Sequence, residues 1–175
     1  KIFANRSHGL EYLAKKYAME TLRTFIAIDI KPEGALIDCW EELKDLLYHD
    51  KIRWVDDRLL HLTLFFLGDT PTNRIDSIWG RLSQSLSDIK AFNLQLKGFG
   101  RFGSLNQPRV LWIGLEPSKE LESLKHLINK AIIPLGFEEE YKEFKPHITL
   151  GRVKDLKPSN TLKEFLEDYR DIFLQ

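Results

Sequence analysis

The chain has 175 residues, 43% of them hydrophobic and 30% charged, which is enough apolar material for one globular domain or two small lobes sharing a core. Lys plus Arg number 26 and Asp plus Glu number 26, so the formal net charge is zero; this excludes a protein that coats long nucleic acid through a basic excess, but not a site that reads one terminal phosphate. The single cysteine, Cys39, excludes a disulfide framework and a cysteine-rich zinc site, and with no membrane-length apolar run and no signal-peptide stretch the expected compartment is a reducing cytoplasm.

In chain order, residues 1–18 read as a leader or an appended extension, because Met19 is the only methionine. Within them "GLEYLAKKYA" predicts a short helix. "RTFIAIDI" alternates and is rich in β-branched residues, so it predicts a strand ending before Pro32. Leu36, Trp40, Leu43 and Leu47 fall on one helical stripe, and Cys39 beside them reads as a buried small hydrophobe rather than a nucleophile. "IRWV" predicts a short strand, and "LLHLTLFFLG" a stronger one stopped by Gly68. After Pro71, Ile75, Ile78, Trp79, Leu82 and Leu86 predict a second helix. "AFNLQLKGFGRF" and "RVLWIGL" read as strands joined by a turn-rich link. Ser118 is the expected N-cap of a third helix that runs to Pro134 and Gly136. "PHITLGRV" predicts the last strand, and "NTLKEFLEDYRDIFL" a closing helix. Strands and helices thus come in two comparable sets, which predicts antiparallel α+β in two pseudo-symmetric lobes.

Each set contains one His-x-Thr-Leu strand, at His61 and again at His147. Residues i and i+2 of a strand share a face, so His61 and Thr63 point one way while Leu62 and Leu64 bury on the other. The same holds for His147 and Thr149 against Ile148 and Leu150. Two histidines in identical frames point to a shared groove more strongly than either does alone. The other three stand in no such frame: His8 is in the leader, while His49 and His126 lie on helical patterns beside charged residues and are expected at the surface.

Three uses of the pair are open. Each histidine can be an ordinary hydrogen-bonded strand residue. The two can ligate zinc, although a third ligand and a carboxylate base are usual and neither strand carries an acid on the histidine face before Asp69. Or they can divide acid/base labour at phosphorus. A free imidazole titrates near ~6.5, so at neutral pH one can take a proton from the attacking oxygen and the other give one to the leaving oxygen. Thr63 and Thr149 hydroxyls would then donate to the equatorial oxygens, where charge builds up.

His61-Leu62-Thr63-Leu64 and His147-Ile148-Thr149-Leu150 resemble the paired motifs of the 2H phosphoesterases. With "RTFIAIDI", "RWVDDRLLHLTLFFLG", "PRVLWIGL" and "PLGFEEEYKEFKPHITLGRV", residues 22 to 153 resemble the RNA 2',3'-cyclic phosphodiesterases, long called 2'-5' RNA ligases. The resemblance implies a single bilobal domain over residues 19–175, with two antiparallel sheets flanking a central cleft and helices outside. It implies opening of a 2',3'-cyclic phosphate end to a 2'-phosphate without metal or other cofactor, and possible joining through 2'-5' linkages. His61 and His147 become the acid/base pair, and Thr63 and Thr149 phosphate contacts. Arg152 becomes a phosphate-contacting arginine and Phe66 an aromatic that stacks on the terminal base. A straight strand puts both of these on the wrong face, so a bulge or a strand end must turn them. The implied partners are RNA 3' ends or small cyclic-phosphate nucleotides, with no membrane, and the expected state is a monomer. A phosphodiesterase for small cyclic nucleotides or a cyclic ADP-ribose phosphate, and a non-catalytic nucleotide-binding module, are the alternatives. Members usually continue past the second motif into further strands and a Gly-x-x-Tyr segment, whereas this sequence stops at Gln175: either the protein is shortened or its end lies beyond the sequence given; "GLEY" at residues 9–12 faintly resembles that segment at the other terminus. "DRLL" replaces the usual proline-containing turn before the first motif, which touches loop shape rather than chemistry.

Overall fold

The computed structural model describes residues 2–5, 20–138, 143–157 and 160–174. The predicted helix at residues 9–18, and His8, lie outside them. The elements in chain order are β1 (Ile2–Asn5), β2 (Thr21–Asp29), α1 (Ala35–Leu46), β3 (Lys51–Trp54), β4 (His61–Pro71), α2 (Ile75–Ser85), β5 (Leu96–Gly103), β6 (Pro108–Leu115), α3 (Lys119–Ile132), β7 (His147–Asp155), α4 (Thr161–Asp168) and β8 (Phe173–Leu174). The expected class, α+β with antiparallel strands, is met.

Two compact units divide the chain, and neither is one half of the sequence. The first is woven from Lys1–Ile28, Thr63–Phe92 and Ser118–Phe144, the second from Asp29–Leu62, Asn93–Pro117 and Lys145–Gln175. In the first, β1 pairs antiparallel with β2, β2 lies beside β4, and α2 packs on α3. The Thr24 and Thr70 hydroxyls are buried there and satisfy each other at 2.7 Å, so neither costs an unpaired polar group. In the second, β6 runs along one edge of β7, β5 flanks β6, and β8 flanks β5. The other edge of β7 is shared by β3 and the start of β4. The start of β4, His61–Leu62, belongs to the second unit, and the rest of β4 to the first.

The helices follow their stripes. Leu36, Trp40, Leu43 and Leu47 are each no more than 3% exposed. The Ser118 hydroxyl accepts from the Leu121 N–H at 3.1 Å, and α3 buries Leu121, Leu124, Ile128, Ala131 and Ile132. On α2, Ile78 and Leu82 are buried, but Trp79 is 50% exposed. It stands one residue, about 100°, round from the row that packs.

Three boundaries differ from expectation. β4 does not stop at Gly68 but runs on to Pro71, the glycine taking φ of 70° within the strand. β5 begins only at Leu96. The closing helix ends at Asp168, and Phe173–Leu174 instead make a strand on β5. Gly98 explains the last: with φ of 68° and no side chain it lets the Arg170 carbonyl approach, while its N–H donates to Ile172 O at 3.0 Å. The chain end is thus held by β5 backbone donors that a continued helix would leave unused.

Candidate active site

Leu62 on β4 and Ile148 on β7 face each other in antiparallel register, and both are fully buried at 0% exposure. Burying these two fixes the opposite face. One step along the same register sets His61 across from Thr149. His61, His147 and Thr149 are all partly exposed, as strand alternation requires beside buried Leu62, Ile148 and Leu150.

Both imidazoles are held in the same way. His61 Nδ1 lies 2.7 Å from Leu59 O, and His147 Nδ1 lies 2.7 Å from Lys145 O, each two residues back along the chain. A carbonyl oxygen only accepts, so Nδ1 carries the proton in both rings. Nε2 is then the nitrogen whose proton state this bond leaves open, an acceptor when the ring is neutral and a donor when it is charged.

The turns that supply those carbonyls are built differently. Lys145 precedes Pro146, which favours extended backbone at that position. Leu59 ends a short 3-10 turn over residues 57–59, and the Asp56 carboxylate caps it by accepting from the Arg58 N–H at 3.0 Å. The Arg58 guanidinium closes back on the same carboxylate at 2.6 and 2.8 Å. That contact holds the Asp56 carboxyl well below the usual carboxylate range. This clamp is how "DRLL" makes its turn without a proline.

Arg152 reaches the histidine face through a bulge. Trp112 on β6 pairs with Thr149, but Leu111 pairs with Gly151, so Leu150 is the extra residue. Leu150 and Gly151 both bury. Alternation resumes one position late, and Arg152 stands opposite Val110, on the face of Thr149 and His147. A straight strand would have pointed it the other way.

The same face carries two aromatic rings that sequence reasoning did not select. Phe102 meets His147 edge-on with centroids 4.8 Å apart, and Trp112 lies 6.2 Å from His147 and 5.5 Å from Phe102. Gly100, opposite Trp112, leaves the room the indole occupies, since a Cβ there would collide with it. The Trp112 Nε1–H is buried with no hydrogen-bond partner among the described residues. The alternation of "RVLWIGL" does set Trp112 apart from Leu111 and Ile113. What it cannot show is which strand lies alongside.

Thr63 and Phe66 belong to the first unit. Thr63 is partly exposed two residues along β4 from His61, hence on the same face of that strand. Among the described residues no hydrogen bond engages the hydroxyl of Thr63 or Thr149. Phe66 is 51% exposed, with the Phe25 ring centroid 6.1 Å away. Leu64 and Phe65 are both buried, so the alternation along β4 shifts by one there, and Phe66 is exposed where strict alternation from Leu62 and Leu64 would bury it.

Elsewhere, His49 and His126 are exposed, as expected. Cys39 is only half-buried; burial pushes its thiol up, which disfavours the thiolate a nucleophile needs. Among the described residues no group of three or more His, Cys, Asp or Glu is placed to hold a metal ion. Nor is any described helix long and apolar enough to cross a membrane.

The family described as the 2'-5' RNA ligase superfamily matches residues 32–172, which takes in both His-x-Thr-Leu strands. The RNA 2',3'-cyclic phosphodiesterase of Thermotoga maritima is 37% identical over 134 residues, 76% of this chain and 71% of that protein. That of Methanocaldococcus jannaschii is 34% identical over 151 residues, 86% of this chain and 83% of that one. Among solved structures, TT0787 of Thermus thermophilus superposes with a TM-score of 0.64 at 27% identity, covering 78% of this chain and 77% of its own. LigT of Escherichia coli, complexed with 3'-AMP, superposes with a TM-score of 0.57 at 26% identity, covering 80% and 76%. The doubled His-x-Thr-Leu frame, its register and these relatives lead to one assignment: the chain belongs to the 2'-5' RNA ligase superfamily of 2H phosphoesterases.

Proposed function

We propose that the chain is a cyclic phosphodiesterase that opens RNA 2',3'-cyclic phosphate ends to 2'-phosphates, using two histidines and no metal. One observation carries the reading: two imidazoles on neighbouring antiparallel strands, each with Nδ1 tied to a carbonyl, which makes Nε2 the nitrogen that exchanges a proton. Water attacks phosphorus, and the neutral Nε2 of one histidine takes its proton. The P–O3' bond breaks, and the protonated Nε2 of the other histidine delivers a proton to the departing 3'-oxygen. We assign His147 as the base and His61 as the acid. Thr63, Thr149 and Arg152 hold the non-bridging oxygens, where charge grows. Phe66 offers a stacking surface to the terminal base, worth roughly 1–3 kcal/mol for any base. With the 5'-hydroxyl of a second strand attacking phosphorus in place of water, the same two proton transfers break P–O3' and leave a 2'-5' linkage. The working unit in this reading is the domain of residues 19–175, monomeric and cytoplasmic.

The test is product analysis on an RNA ending in a 2',3'-cyclic phosphate, with and without EDTA. A 2'-phosphate product unaffected by EDTA is expected; activity lost to EDTA and restored by zinc or manganese overturns the metal-free mechanism. Faster turnover of a cyclic mononucleotide than of the cyclic-ended RNA would make the substrate a small nucleotide. Binding without turnover of either would make the chain a nucleotide-binding module.

A further inference from the structure

The bulge that turns Arg152 onto the histidine face brings a second arginine with it. On the far edge of β7, Arg53 of β3 pairs with Arg152, just as Val110 does on the near edge. Paired residues share a face, so Arg53 stands on the face of His147, Thr149 and Arg152. Its neighbours in sequence, Ile52 and Trp54, point away and pack where a Cβ on Gly151 would sit. Both arginines are exposed, and among the described residues neither makes an ion pair.

Like charges directly across a ladder are destabilising, and this same ladder shows the ordinary solution further on. Lys51 pairs with Asp155, nitrogen to oxygen 3.9 Å. The acid nearest along β7 is therefore taken, and on β6 the arginine pair is flanked by Val110. Two guanidinium groups side by side on one face, each with five donors and, among the described residues, no ion-pair partner, fit two neighbouring phosphates better than one.

We propose that Arg53 binds the phosphate next to the reacting one, so that Arg53 and Arg152 together read two successive phosphates of an RNA strand. This rests on the cyclic phosphodiesterase reading and specifies its substrate as an oligonucleotide rather than a mononucleotide. A mononucleotide has no second phosphate to offer Arg53.

The experiment has two arms. In the first, fluorescence anisotropy follows binding of a short single-stranded RNA ending in a 3'-phosphate across a salt series. Each phosphate neutralised on a single strand contributes about −0.7 to the slope of log K against log salt, so Arg53→Gln should flatten the slope by roughly that much. Arg53→Lys should restore it, and Lys51→Gln, which removes a charge already paired, should not move it. In the second arm, Arg53→Gln should lower kcat/KM on a cyclic-ended oligonucleotide more than on a 2',3'-cyclic mononucleotide, by roughly tenfold, as for a charge-assisted hydrogen bond. The loss should appear in KM. Equal losses on both substrates would put Arg53 on the reacting phosphate and overturn the proposal, as would no loss on either. RNA that does not bind the unmodified chain overturns it too. A flattened binding slope together with no turnover of any cyclic substrate supports the subsite and overturns the enzymatic reading instead. The Tm of Arg53→Gln should match or exceed the parent, because a repulsion is relieved; a clear fall would make the pair structural.

Discussion

At the scale of residues, the proposed active face is two histidines in one frame, and their environments say what each substitution should do. A positioned proton donor or acceptor is typically worth 10²–10⁴-fold, so His61→Ala and His147→Ala should each lower kcat on a cyclic-ended RNA by roughly that factor. The double variant should lose less than the product of the two, because the pair acts as a unit. The rate should be bell-shaped in pH, its two apparent pKa values belonging to the pair rather than to either ring. A substrate with a better 3' leaving group should rescue the variant that lacks the acid; rescue of His147→Ala alone would reverse the assignment. Thr149→Val removes one donor to the charged oxygens and should cost at most ~10²–10³-fold in kcat with the fold intact by circular dichroism. His61, Thr63, His147 and Thr149 stand out in the sequence because a motif written twice is a local signal; Phe102 and Trp112 do not. Those two rings reach His147 through strand pairings that no local pattern encodes.

At the scale of elements, the bulge in β7 decides which side chains meet. It depends on Gly151, whose missing side chain leaves space for Trp54 and Ile52; a Cβ there would come within 2.7 Å of Trp54 Cε3 and 2.9 Å of Ile52 Cγ2. Gly151→Ala should therefore overpack this layer and lower stability by about 1–3 kcal/mol in urea unfolding. Because Arg152 is the next residue, the same substitution should also raise KM for an RNA substrate. Unchanged KM alongside the lost stability would mean that Arg152 holds its place without the bulge. Helices were easier to read than this. The α1 stripe is visible because period and packing lie within one stretch of chain, whereas the extra residue at Leu150 exists only relative to β6. The end of α4 escaped for a similar reason: its stop is set by Gly98 on a distant strand.

At the scale of the whole molecule, composition and motif duplication pointed correctly to antiparallel α+β, but not to how the chain is distributed. Two sequence halves suggested two lobes with one histidine each, yet both histidines fall in the second compact unit. Strand order is the part that alternation and helical period leave undetermined, since many orders bury the same residues. Stability should respond where β4 and β7 join. Ile148→Ala empties a site of 0% exposure directly behind His147 and Thr149, and should cost about 2–5 kcal/mol in urea unfolding. Leu62→Ala is its partner across the ladder, and the two together should depart from additivity because each relaxes into the other's cavity.

The matched carbonyl bonds on the two rings have a consequence for the cycle between reactions. In the proposed mechanism, hydrolysis leaves the former base charged and the former acid neutral, a mirror image of the starting arrangement. The former base cannot shed its extra proton through Nδ1, because that nitrogen faces the Lys145 carbonyl, which accepts a hydrogen bond but does not take up a proton. Recovery must go outward, from one Nε2 to the other by way of solvent, and both rings are open enough to water for that. Until the exchange happens, the molecule is poised for the opposite reaction, with a newly formed end still in place. The lifetime of that mirrored state, compared with the departure of product, then governs how far the enzyme commits to opening a ring before it can close one.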